Sequence, residues 1–225
     1  MWTILAPLLL AFPTPATNGD AKPLFNGKDL DAWTVWIRHV DDSGKPLPDL
    51  DPRSDPKGVF KVEDGLIHVS GAEYGCLTTK DEYENYRLKV EFKWGTKRYF
   101  DRKDQVRDSG ILLHCTGRDK VWTKSIECQI EEHDCGDFWL VDGTTIKVDG
   151  KLEKSYKKKK KDAEKPTGEW NTVEVICDGG KITNIINGVV VNEGTDASVR
   201  KGRILLQSEG AEVWFRKVEL EPLNK

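Results

Sequence analysis

Strong charge of one sign, paired Cys-x-x-Cys spacing and a second long apolar run are all missing from this chain. The formal net charge is −3 with 32% charged residues, so no strong field points to nucleic acid or to an anionic membrane as a partner. None of the five cysteines, Cys76, Cys115, Cys128, Cys135 and Cys177, is spaced as a Cys-x-x-Cys pair, which argues against a zinc site. His133, Asp134 and Asp137 likewise match no strong metal signature and read as a polar turn, so no metal is expected. Past the first dozen residues no apolar run is long enough to cross a membrane as a helix. Methionine occurs once and tryptophan eight times, a skew that suits β packing and flat apolar platforms. There is no internal repeat and no long amphipathic helical pattern.

What is present begins with an apolar, uncharged start, Met1 to Phe12, followed by the small residues of Thr14-Pro15-Ala16. This reads as a secretory signal over residues 1–19, although no Lys or Arg precedes the apolar run. A single β domain is then expected over 20–225, secreted or periplasmic, with disulfides permitted but their pairing open.

Along that domain, Asn26-Gly27 is a turn between Phe25 and the anchors Leu30 and Trp33, which are expected to cap a core. Pro46, Pro48, Pro52 and Pro56 break up residues 39–57 into a surface loop. Asp64-Gly65 joins two short strands as a hairpin, and His68 within it reads as structural. Tyr86 to Trp94 alternates without a break, with Tyr86, Leu88, Val90, Phe92 and Trp94 inward. A meander through Asp178-Gly179-Gly180 and Asn187-Gly188 follows, and strands over 203–208 and 213–220 close the chain. The lysine-rich run from Lys151 to Lys165 contains Glu153, Asp162 and Glu164 and reads as a solvated loop. Strands throughout imply two packed antiparallel sheets.

The most informative stretch runs from Arg107 to His133. Ile126, Cys128 and Ile130 fall on one face of a strand, and Ser125, Glu127, Gln129 and Glu131 on the other. Two readings of that second face are open, an ordinary solvent face or a working surface beside a histidine-bearing strand that ends in His114-Cys115.

Several segments together resemble the 3-keto-disaccharide hydrolase family, whose activity is that of a 3-keto-glucoside 1,2-lyase and 3-keto-2-hydroxy-glucal hydratase. They are Phe25 to Leu30 with Trp33, the Asp64-Gly65 hairpin, Asp108-Ser109-Gly110-Ile111, Glu127-Cys128-Gln129-Ile130, Gly168-Glu169-Trp170-Asn171, Asn187-Gly188, and Gly202 to Gln207 followed by Phe215-Arg216. The resemblance spans about residues 22 to 221 and implies an all-β, concanavalin-like jelly-roll sandwich of two antiparallel sheets. It also implies a secreted enzyme acting on an oxidised disaccharide or glucoside, which a separate dehydrogenase could supply. Departures from the family's usual residues are Asp108 for an asparagine, His114 for an arginine-type residue, Cys128 for an aromatic, and Lys217 after Arg216.

A ketone at C3 acidifies the proton on C2, so cleavage by elimination needs a base there, a donor to the enolate oxygen and an acid for the group leaving C1. No redox cofactor is required for this step. Glu127 is the leading base or acid, and His114 the leading donor or second base. Gln129 and Gln207 suit sugar hydroxyls, Lys124 or Arg216 the ketone or enolate, and Ser109 joins them as a substrate-binding candidate. Two other functions fit the same residues. A laminarinase-type glycosidase would use Glu127 with Glu131 or Glu132, but on a straight strand Glu127 and Glu131 lie about 13 Å apart, whereas retaining chemistry wants carboxyls about 5 to 5.5 Å apart. A non-catalytic carbohydrate-binding module would stack sugar rings on Trp94, Trp122 or Trp139.

Overall fold

The computed structural model describes residues 20–41 and 45–223, so the expected signal segment lies outside it. Among those residues, strand side chains of period two build two antiparallel sheets face to face. One sheet has eight strands; seven of them run in the order Val189–Gly194, Lys181–Ile186, Asn171–Asp178, Tyr86–Arg98, Ala211–Pro222, Leu66–Val69, Phe60–Glu63, and Lys22–Pro23 also pairs with Ala211–Pro222. The other has seven, Tyr156–Lys157, Phe138–Val141, Lys124–Gln129, Gly110–Thr116, Arg203–Ser208, Tyr74–Thr79, Trp33–Arg38.

The inward residues of the first sheet are those the alternation marks. Tyr86, Leu88, Val90, Phe92 and Trp94 meet Val173, Val175 and Phe215 in one core with Ile111, Leu113, Ile126, Cys128, Phe138 and Leu206 of the second sheet. Trp94 is therefore a core residue and offers no stacking platform. Trp33 caps this core and donates its indole N–H to the Leu24 carbonyl at 2.9 Å. All five cysteines are buried as free thiols.

The lysine-rich run departs from its expected form as a solvated loop. It contributes the short strands Lys151–Glu153 and Tyr156–Lys157. The Lys159 side chain is almost fully buried, with its ammonium donating to the His133 carbonyl and lying 3.5 Å from Asp134 Oδ1. The aspartates of the 133–137 turn neutralise it, which a count of charges along the chain does not reveal.

The strand Gly110–Thr116 carries a bulge. His114 adopts φ of 53°, and pairing slips between Leu113 and Thr116 on one side and between Arg203 and Leu205 on the other. An extra residue in a strand turns the following side chains to the opposite face. Leu112 and Cys115 consequently share a small cluster with Cys76 and Leu205 on the outer face of the second sheet. The His114 ring instead packs edge-on against Tyr86 of the other sheet, with centroids 5.4 Å apart. His114 therefore does not share a face with Gly110 and Leu112.

The loop 117–123 covers that outer cluster. Asp119 pairs with Arg203 at 2.5 Å and with Arg53 at 3.0 Å, and Gln207 Nε2 donates to the Val121 carbonyl at 2.9 Å. This loop closes half of the outer face and leaves the other half open.

Phe92 is fully buried where the two sheets meet. Phe92→Ala is expected to lower unfolding free energy by about 3–5 kcal/mol, measured by urea denaturation; a loss below about 1 kcal/mol would show that this layer is not the packed centre.

Candidate functional site

On the open half of that face lies a cavity of about 400 Å³ lined by Arg102, Asp108, Trp122, Glu127, Gln129, Glu131, Trp139, Leu140, Val141 and Glu209. Strand, turn and helix segments distant in sequence supply its ionisable groups. The strand Lys124–Gln129 presents Glu127 and Gln129 outward, because Ile126 and Cys128 are committed to the core. Both polar residues are buried, with Glu127 only 4% exposed, so the polar face is neither a solvated one nor an open row. The turn after Arg203–Ser208 delivers Glu209, and the short 3₁₀ helix Phe100–Lys103 delivers Arg102.

Glycines make the approach feasible. A methyl group at Gly110 would overlap Gln207 Oε1 and Glu127 Oε1, so both oxygens crowd over the bare backbone there. Gly210, at φ of 79°, leaves room for Arg102, whose Cγ would lie 3.0 Å from a methyl at that position.

Arg102 holds the cluster together. Its guanidinium pairs closely with Asp108 Oδ2, reaches Glu131 Oε1 at 3.2 Å, and leaves Nε buried without an acceptor among the described residues. One cation thus pairs with two carboxyl groups and acts at longer range on a third, Glu209. Burial, followed by the charges of Glu209, Asp108 and Glu131, pushes Glu127 well above the usual carboxylate range. Burial and then Asp108 do the same to Glu209, with Arg102 and the Trp122 indole opposing. Asp108 rises to about 7, again through burial first, with Arg102 pulling it down. Glu131 is raised by burial and lowered by Arg102. Asp108 Oδ1 is buried without a donor when Glu209 is ionised, and hydrogen bonding between the two acids satisfies it once Glu209 carries a proton. This arrangement favours the protonated forms of Glu127 and Glu209 and leaves Asp108 titrating near neutrality.

Of the residues singled out from sequence, the cavity gathers Glu127, Gln129, Glu131, Trp122 and Trp139, with Gln207 beside Glu127 over Gly110. Ser109 is buried next to it and donates to the Gln207 carbonyl at 2.9 Å. His114, Lys124 and Arg216 are not brought there. The His114 ring lies 3.3 Å from the Glu84 carbonyl, and burial lowers its pKa, which favours the neutral form. Lys124 is exposed at the start of its strand. Arg216 pairs with Glu91 at 2.5 Å and stacks on Trp170, on the other sheet. Arg102 and Glu209 escaped sequence reasoning: Arg102 sits in a mixed-charge segment that looks solvated, and Glu209 in a tight turn, where acids are ordinarily exposed.

Two tryptophans stand at the cavity, Trp122 from the loop 117–123 and Trp139 from Phe138–Val141, 44% and 40% exposed. The model of the 3-keto-alpha-glucoside-1,2-lyase-like domain matches residues 20–221. The chain belongs to this family. That places it among carbohydrate-active proteins. Among curated proteins nothing matches. Of solved structures, a candidate glycosyl hydrolase from Parabacteroides distasonis is 23% identical, with 91% of this chain and 100% of that one covered and a TM-score of 0.61. A β-glucanase from Bacillus licheniformis is 12% identical over 92% and 99% of the two chains, at a TM-score of 0.52. At these identities the likeness is one of fold, and it identifies the sandwich as the concanavalin-like jelly roll.

Because Asp108, Glu127 and Glu209 bind protons more tightly folded than unfolded, where carboxyl groups titrate near pH 4, their contribution to stability is complete below about pH 4. The Asp108 share is lost as pH rises through about 7. Asp108→Asn should therefore gain on the parent by a few kcal/mol between pH 4 and pH 8, whatever its offset at acid pH. Calorimetric melting at both ends checks this, and parallel curves would contradict it.

Proposed function

We propose that this cavity cleaves 3-keto-glycosides by elimination across C1–C2 and then hydrates the 2-hydroxy-glucal product, a net hydrolysis. One observation carries the reading: a carboxyl whose surroundings favour its protonated form, a carboxyl that ionises near neutrality and the Arg102 guanidinium line one cavity with two exposed tryptophans.

Asp108 takes the proton from C2. The electron pair moves toward the C3 carbonyl, and the Arg102 guanidinium, which lines the cavity, stabilises the oxygen that gains charge. The enolate then expels the group at C1 as the C1=C2 double bond forms, and Glu127 supplies the proton that the departing oxygen needs. The ionised Glu127 can next draw a proton from water adding at C1, while Asp108 returns its proton to C2. Every step is redox-neutral, and Gln129 in the cavity wall suits a sugar hydroxyl, while the fully buried Gln207 supports the wall from behind through its bond to the Val121 carbonyl. Arg102 thus takes the role for which the sequence offers Lys124 or Arg216. His114, held between the sheets, supports Tyr86 instead of the chemistry.

The substrate is a glycoside or disaccharide already oxidised at C3, which a separate dehydrogenase must produce, and the apolar segment at residues 1–12 supports action after export. Ordinary glycosidase action and sugar binding without turnover are the other outcomes of the same test.

The purified protein is given a 3-keto-glucoside with a chromogenic leaving group beside its unoxidised counterpart. Turnover of the oxidised substrate alone is expected, with kcat/KM rising through about pH 7 as Asp108 ionises. Glu127→Gln should lower it by on the order of 10²–10⁴-fold, and Asp108→Asn should abolish the rise. Equal turnover of both glucosides would establish ordinary glycosidase action, and binding with no turnover a lectin-like module.

A further inference from the structure

We propose that the two exposed tryptophans divide the cavity into separate seats, Trp122 backing the ring that reacts and Trp139 backing the group that leaves. The assignment rests on the reaction proposed above, and the register of the sheet supplies its direction.

Trp139 is the direct cross-strand partner of Glu127, and both line the cavity. Side chains opposed in this way stand with Cβ atoms about 4.5–5.5 Å apart, so the acid that protonates the departing oxygen lies against the Trp139 ring. Val141 follows on the same face of that strand and lines the same side, while the Leu140 side chain turns into the core, and the Tyr156 ring braces Trp139 at 4.8 Å between centroids. Tyr156 is held in turn through its hydroxyl on Asp137. This wall is flat and apolar.

Trp122 belongs to the opposite group. It contacts Glu209, which hydrogen-bonds with Asp108, and its ring lies 6.1 Å from that of Tyr74, whose hydroxyl donates to Asp101 one residue before Arg102. The base and the enolate donor are thus on the Trp122 side. A sugar placed with C2 toward Asp108 and its C1 oxygen toward Glu127 rests on Trp122 and points its leaving group at Trp139.

The Trp139 seat therefore suits a leaving group with a flat, weakly hydrated face. Two sources offer one: a phenolic ring, or the C–H face of a second hexose. A methyl group offers none.

The test compares kcat/KM for methyl, phenyl and glucosyl 3-keto-glucosides in the parent, Trp139→Ala, Trp139→Phe and Trp122→Ala. Trp139→Ala should lose about 3- to 10-fold on the ring-bearing leaving groups and stay within about twofold on the methyl glycoside, with Trp139→Phe restoring most of the loss. Loss on phenyl alone identifies a phenolic aglycone, loss on glucosyl alone a second sugar, and loss on both a seat that takes either. Trp122→Ala should depress all three substrates alike. An equal effect of Trp139→Ala on all three, or none on any, would overturn the assignment. If the parent turns over no oxidised substrate, the reaction itself fails. The seats are then read by fluorescence quenching with unoxidised methyl and phenyl glucosides: selective loss of phenyl affinity in Trp139→Ala supports the seat, and equal loss or none overturns it.

Discussion

A single guanidinium among four carboxyl groups, three of them buried and that of Glu131 half-buried, is the constraint on which the open half of the outer face depends. Burial penalises the charged forms there, so carboxyl charge not matched by Arg102 favours protonation. Arg102 is matched twice, by Asp108 and by Glu131, which leaves Glu127 and Glu209 to stay neutral. Acidic groups held neutral can donate protons and hydrogen bonds at a pH where free carboxyls cannot. The geometry that produces this is built largely from backbone: glycines at 110 and 210 admit side chains where any Cβ would intrude, and the alternation of Lys124–Gln129 drives Glu127 and Gln129 outward as its apolar residues enter the core.

The outer face is divided by a clip. Asp119 bridges Arg203 of the sheet and Arg53 of the proline-rich segment, and the loop that carries it covers the small apolar cluster around Leu112 and Leu205. Trp122 comes from this same loop, three residues past Asp119. Closing one half of the face and furnishing the wall of the other are consequences of one fold of chain.

Much of the sandwich was legible in the sequence because its signals are local. Alternation from Tyr86 to Trp94 and the Asp64-Gly65 and Asn187-Gly188 turns each name a strand or hairpin without reference to the rest of the chain. The strand beginning at Tyr86 nevertheless runs on to Arg98, past the last apolar residue, because pairing with Ala211–Pro222 continues where the pattern has stopped. Glu127 and Gln129 were legible for the same reason of alternation. His114 was not placed correctly, since a bulge reverses the faces beyond it and no residue type announces the bulge. Arg216 and Lys124 carried the right charge for the chemistry, but which sheet and which face they occupy is a property of the assembled sandwich. Arg102 and Glu209 meet only after strands distant in sequence pair.

The five thiols of this protein are each enclosed singly, without a covalent partner. Its cohesion comes from packing and ladder hydrogen bonds, so maturation calls for no oxidant or isomerase and a reducing milieu removes nothing that holds it together.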